Sequence, residues 1–186
     1  MSRDTLQEPM AAFPRPQSPS TPLTCRRPGK LAAVARDPCY YWSMREILML
    51  NGPNLGILGR REVETYGTST LVEIEKAVAD EVAERGWNVI AVQRENEGEL
   101  IHAIQDNYGT VGAIVNPGAL MIAGWSLRDA LANYPNPWIE VHLSNLWARE
   151  RFRHESILAP LASGVIVGLG ASGYRLAARA LLDLVP

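Results

Sequence analysis

From Glu46 onward, short apolar runs bounded by turn residues alternate with longer segments whose apolar residues recur at helical spacing. Strands are predicted at residues 47–50, 88–92, 113–115, 139–142 and 165–168, each nearly all apolar, as strands buried on both faces should be. Between them Leu71, Ile74, Val78 and Val82 form one stripe behind a Ser69/Thr70 cap and stop at Gly86, predicting an amphipathic helix. Leu100, Ile101 and Ile104 predict a second helix, residues 127–131 a third and residues 174–182 a closing one. Strands separated by helices imply an α/β fold: a five-stranded parallel sheet, doubly wound, with right-handed crossovers and helices on both faces.

In such sheets ligands bind beyond the carboxyl ends of the strands. The residues at those points are unusually polar. Asn51-Gly52-Pro53-Asn54 follows the first strand, Gln93-Arg94-Glu95-Asn96 the second, and Asn116-Pro117-Gly118 the third. The fourth ends in Glu140-Val141-His142-Leu143-Ser144-Asn145.

The first 44 residues read differently. They hold seven of the thirteen prolines, show neither period, and are expected to be a disordered extension before a single domain at 45–186. Six basic and three acidic side chains make this stretch +3, leaving −5 on the rest. Its longest apolar run, residues 31–35, is too short for a secretory signal, and its prolines oppose the amphipathic helix of a transit peptide. Met44 stands just before the first strand, so the extension reads as an upstream start.

Composition narrows the function classes. With 186 residues, 47% hydrophobic and 20% charged, the chain has the make-up of a globular domain, and no window approaches a membrane span. A net charge of −2 with mixed signs offers no basic stripe for nucleic acid. The only cysteines, Cys25 and Cys39, lie in the extension and staple nothing, so a reducing compartment, the cytoplasm, is expected. Three scattered histidines make no metal centre, and neither phosphate-binding glycine motif is present, so no metal and no cofactor are expected. Gly168-Leu169-Gly170 followed by Gly173 has the look of a cofactor loop, but it follows the last strand, and close helix-to-sheet packing explains its glycines.

The candidate chemistry is that of an acid and a base. Glu140 and His142 alternate along one strand, so they share a face and the carboxylate can fix the imidazole tautomer, as a general acid requires. Tyr66 stands five residues from Arg61 in a glycine-punctuated loop. Ionising a phenol at pH 7 costs about 4 kcal/mol, which a permanent cation offsets in part. Of Arg149, Arg151 and Arg153, some should face water while one or two clamp an anion. His102, inside a helix, and His154, in a charged segment, are read as surface residues.

The segments LNGPNLGILGRRE, Tyr66-Gly67, ENEGELI, VNPGA, LRDAL, IEVHLSN, RFRHES and GVIVGLGASGY, in this order, resemble the type II 3-dehydroquinate dehydratase family from Arg45 to Leu182. The resemblance implies a flavodoxin-like fold with strand order 2-1-3-4-5, assembly of trimers into a dodecamer, and a cofactor-free lyase of the shikimate or quinate pathway acting on 3-dehydroquinate. It implies Tyr66 as base activated by Arg61, Asn54 holding a water, and His142 with Glu140 as acid, with Asn116 nearby. Leu143 and Ser144 would take the substrate carboxylate and Arg153 a ring hydroxyl. Asp129 would come from a neighbouring subunit, and Arg149 would support the tyrosine.

Trp125 is a bulky addition next to Gly124, and two further positions depart from the family pattern. Ile122 replaces a substrate-binding histidine, and Trp147 stands where a histidine is usual. Losing one donor to a buried hydroxyl costs on the order of 1 to 3 kcal/mol when uncompensated. The alternatives are therefore a diverged enzyme acting on another cyclic hydroxy-keto acid and a non-catalytic flavodoxin-like binding protein.

Overall fold

The computed structural model describes residues 45–60 and 67–185. Five parallel strands, β1 (Glu46–Asn51), β2 (Asn88–Gln93), β3 (Gly112–Asn116), β4 (Trp138–His142) and β5 (Gly164–Val167), form one sheet in the order β2-β1-β3-β4-β5. The predicted strand order is the observed one. Helices α1 (Leu71–Ala83), α2 (Glu97–Asp106), α3 (Leu120–Ala123), α4 (Trp125–Ala132) and α5 (Ser172–Leu184) complete the domain, with short 3-10 turns in the loops.

Each sheet face carries its own core. Ile47, Met49, Ile114 and Val141 pack against α1 and α5 on one side. Leu48, Leu50, Val115 and Trp138 pack against α2 and α4 on the other. The alternation of strand side chains sorts the sequence into these two clusters.

Local signals set the helix ends. The Thr70 hydroxyl accepts from the Glu73 N–H while the Glu73 carboxylate accepts from the Thr70 N–H, a reciprocal cap that starts α1. The Asn96 side chain starts α2 in the same sense. Helix α4 is capped from outside its own segment: the Glu97 carboxylate on α2 accepts from the Leu127 N–H at 2.8 Å. Gly124 makes the joint between α3 and α4, where an added Cβ would lie 2.8 Å from the Leu120 carbonyl oxygen.

Three expectations are corrected. β3 and β4 are buried throughout and β1 from Ile47 on; β2 and β5 are edge strands with half-exposed residues, because nothing among the described residues pairs beyond them. Asn51 and Asn116 are the last residues of β1 and β3 rather than loop residues. The apolar run after β3 forms α3, which the sequence pattern does not predict. The expected Arg61 and Tyr66 lie outside the described residues, as does the N-terminal extension. Among the described residues no helix is long and apolar enough to cross a membrane.

Candidate functional site

The carboxyl ends of β1, β3 and β4 converge on a cavity of about 160 Å³. That is smaller than the roughly 300 to 1,000 Å³ that takes drug-sized ligands, so the space suits a small molecule.

Asn116, at the end of β3, and His142, at the end of β4, both line it. They arrive from opposite faces of the sheet. Asn116 shares its face with Ile114, and His142 shares the other with Glu140 and Trp138. Glu140 is fully buried, and its Oε1 lies 2.6 Å from His142 Nε2. With Nε2 engaged below, Nδ1 is the ring nitrogen left for the cavity. Glu140 Oε2 is buried without a partner among the described residues, and the imidazole is the hydrogen-bond partner of Oε1.

The loop after β1 closes a second side. The Gly52 N–H donates to the Asn116 carbonyl at 2.8 Å, and the approach is so close that a Cβ on Gly52 would lie 2.5 Å from the Pro117 oxygen. Asn54 has a left-handed backbone (φ 66°), which asparagine tolerates better than most residues, and lines the cavity. Its N–H donates to Glu95 Oε2 at 2.8 Å, while Gln93 donates to Glu95 Oε1 and to the Gly52 carbonyl. These bonds hold the Glu95 carboxyl below the usual carboxylate range, the Asn54 N–H being the main cause.

The segment after β4 supplies the cationic wall. Leu143 and Ser144 line the cavity, followed by Arg149 and Arg153. Arg149 reaches the Ser144 hydroxyl at 3.4 Å, and Arg153 pairs with Glu150 at 2.9 Å. Arg151 is exposed. Gly168, with φ 85°, lets β5 turn away beside Asn145, whose Cβ would be 3.1 Å from an added one. Positive φ therefore explains Gly168 and Gly170, whereas the expected close packing explains Gly173, set against Ile166 and Val141.

Ile122 is half-buried on α3 and is not among the lining residues; its neighbour Met121 is. Asp129 is exposed on α4, away from this cavity. His102 is exposed as expected, but His154 is half-buried and its Nε2 meets the Arg149 carbonyl at 3.1 Å, so the surface reading of His154 is corrected. Sequence reasoning missed Asn51 and Tyr174, whose side chains form a buried network with Asn116. One signal was available: Asn51 and Asn116 stand in register at the ends of adjacent strands. Among the described residues no group of three His, Cys, Asp or Glu side chains is placed to hold a metal ion.

An oriented imidazole, two side-chain amides and two guanidiniums around a small polar cavity can bind a small anion and move a proton at one of its oxygens.

The comparisons with known proteins agree with this chemistry. The family model described as dehydroquinase class II matches residues 45–182. The 3-dehydroquinate dehydratase of Anoxybacillus flavithermus is 48% identical over 145 residues, 76% of this chain and 97% of that protein. The protein of the same name from Bacillus subtilis is 46% identical over 143 residues, 75% of this chain and 95% of its own. The crystal structure of type II dehydroquinase from Propionibacterium acnes superposes with a TM-score of 0.71 at 39% identity, over 76% of this chain and 99% of that one. By its sequence, its strand order and the oriented histidine of its cavity, the chain belongs to the class II dehydroquinase family.

Proposed function

We propose that the protein is a 3-dehydroquinate dehydratase that forms 3-dehydroshikimate and water by anti elimination through an enolate. The observation that carries this reading is the Glu140-supported imidazole of His142, opening on a small cavity walled by Arg149 and Arg153. Family membership and relatives named for this activity support it.

In this reading the Tyr66 phenolate, favoured by Arg61, removes the C2 proton. The enolate oxygen that develops is met by a water held on Asn54. His142 then gives its proton to the C1 hydroxyl, which leaves as water, and the C1–C2 double bond forms. Glu140 offsets the charge of the imidazolium before that transfer and holds its ring. Asn116 stands beside the departing oxygen. The substrate carboxylate binds at Ser144 and the Leu143–Ser144 backbone, where its charge is balanced by nearby arginine, and Arg153 takes a ring hydroxyl. Arg149 supports the tyrosine end.

The same reading covers assembly and context. We infer trimers that build a dodecamer, with Asp129, exposed on α4, entering a neighbouring subunit's site. The chain acts in the cytoplasm, in biosynthesis through shikimate or in quinate breakdown, behind an N-terminal extension of 44 residues that takes no part in catalysis. Purified protein incubated with 3-dehydroquinate should produce the ultraviolet absorbance of a conjugated enone. A flat trace at high enzyme concentration would overturn the assignment.

A further inference from the structure

Beneath the cavity lies a polar network that the reading above does not use. Tyr174, near the start of α5, is completely buried. Its hydroxyl is 2.8 Å from Asn51 Oδ1 and 2.8 Å from Asn116 Nδ2. Asn51 and Asn116 face each other across the β1–β3 ladder, so one hydroxyl from a helix joins the ends of the two central strands.

The hydrogen bonds fix a direction. The Gly118 N–H can only donate, so the Asn116 atom 3.1 Å from it is the carbonyl oxygen Oδ1. The other end of that amide, Nδ2, therefore meets Tyr174 and donates to it. Having accepted there, the hydroxyl sends its single proton to Asn51 Oδ1. Desolvation pushes the Tyr174 phenol far up, so it keeps that proton across the working pH range. Both ends of the Asn116 amide are held, leaving one N–H and one oxygen lone pair to turn toward the cavity it lines beside His142. Asn51 accepts through Oδ1 at the expense of its own Nδ2, which is buried without a partner among the described residues. An unpartnered buried N–H is costly, and here it accompanies a fixed orientation of the amide at the cavity.

We propose that Tyr174 is a positioning residue: through its hydroxyl it sets which atoms of the Asn116 amide face the substrate, and so aligns an N–H with the oxygen that His142 protonates. The proposal rests on the dehydratase reading of Asn116 and His142.

Tyr174→Phe in the full chain tests it, because the ring still fills its site and only the oxygen is lost. Turnover of 3-dehydroquinate should fall about tenfold or more with KM changed much less, as for loss of an interaction made at the transition state. In an Asn116→Ala background the same substitution should change kcat by less than about twofold, since the group it positions is gone. Any loss of unfolding temperature should shrink in the Asn116→Ala background without vanishing, since Asn51 is stranded in both. A wild-type kcat for Tyr174→Phe, or an equal loss in both backgrounds, would overturn the proposal.

If Tyr174→Phe does not fold, Asn51→Ala takes its place. It removes the acceptor that directs the hydroxyl proton, and should lower kcat severalfold only while Asn116 is present. An unchanged kcat, or a loss independent of Asn116, refutes the relay. If wild-type protein lacks dehydratase activity, the functional reading fails, and the NMR signals of the Asn116 side-chain amide still decide the positioning. They should shift and lose exchange protection in Tyr174→Phe; unchanged signals would refute it.

Discussion

The two sides of the sheet each bury a polar group at the cavity floor, and the two are built differently. On the α1/α5 side a phenol bridges two amides, none of which ionises at working pH. On the α2/α4 side a carboxylate meets one imidazole. Each leaves one buried atom without a partner among the described residues, Asn51 Nδ2 on the first side and Glu140 Oε2 on the second. Burying an ionisable carboxyl costs more than burying a neutral amide, and a single imidazole partner repays only part of it. The fold thus accepts a modest penalty where orientation is set and a large one where a proton is handled.

The strongest way to break this contrast is to remove the proton carrier. His142→Ala should reduce kcat for 3-dehydroquinate by about 100- to 10,000-fold, with an unchanged far-ultraviolet circular dichroism spectrum. Glu140→Gln, which keeps size and loses charge, should cost less than that yet at least about tenfold.

Stability should move the other way. Replacing both partners, Glu140→Leu with His142→Leu, removes a buried ionisable pair and should unfold no earlier than wild type in a thermal scan. Tyr174→Phe, which strands two amides, should lose about 2 to 3 kcal/mol in a denaturant titration. A double variant less stable than Tyr174→Phe would reverse the ranking of the two sides.

Glu81 is the partnered counterpart. This buried acid on α1 is clamped by Arg179 and Arg175 of α5, and the Arg179 bond is the main cause of its lowered pKa. A depressed folded value means the contribution is complete above the unfolded carboxylate value of about 4.3 and fades as pH falls through the lower folded value. The gap in unfolding temperature between wild type and Glu81→Gln should therefore be widest near neutrality and close in acid. The smallest effect belongs to the exposed cap of α1, where Thr70→Ala should cost about 1 kcal/mol of stability and leave kcat unchanged.

The sequence makes the scaffold legible because strands buried on both faces and helices with one apolar stripe leave different periods. The stripe of α1 and its Thr70 cap needed no tertiary knowledge. Glu140 and His142 were equally readable, since alternation alone places them on one face. Tyr174 was not, because it occupies a core position of the α5 stripe with Ala177, Ala178 and Leu181, and only the strand ends opposite show what its hydroxyl meets. The edges were invisible to the apolar pattern for a related reason: β2 and β5 are as apolar as the central strands, and strand order, which the family resemblance supplied and no local pattern encodes, decides which two lie outermost. Helix α3 was hidden by its length, four residues carrying no period.

Asn54 is the one non-glycine residue with positive φ among the described residues. A β-carbon is poorly tolerated in that conformation unless a short polar side chain accompanies it. Alanine there would disturb the main chain and remove the amide together, so its kinetics would mix two causes. Glycine keeps the bend, and with it the N–H held by Glu95, while deleting the carboxamide alone. The backbone at this residue thus decides which replacement can separate shape from chemistry at the rim of the cavity.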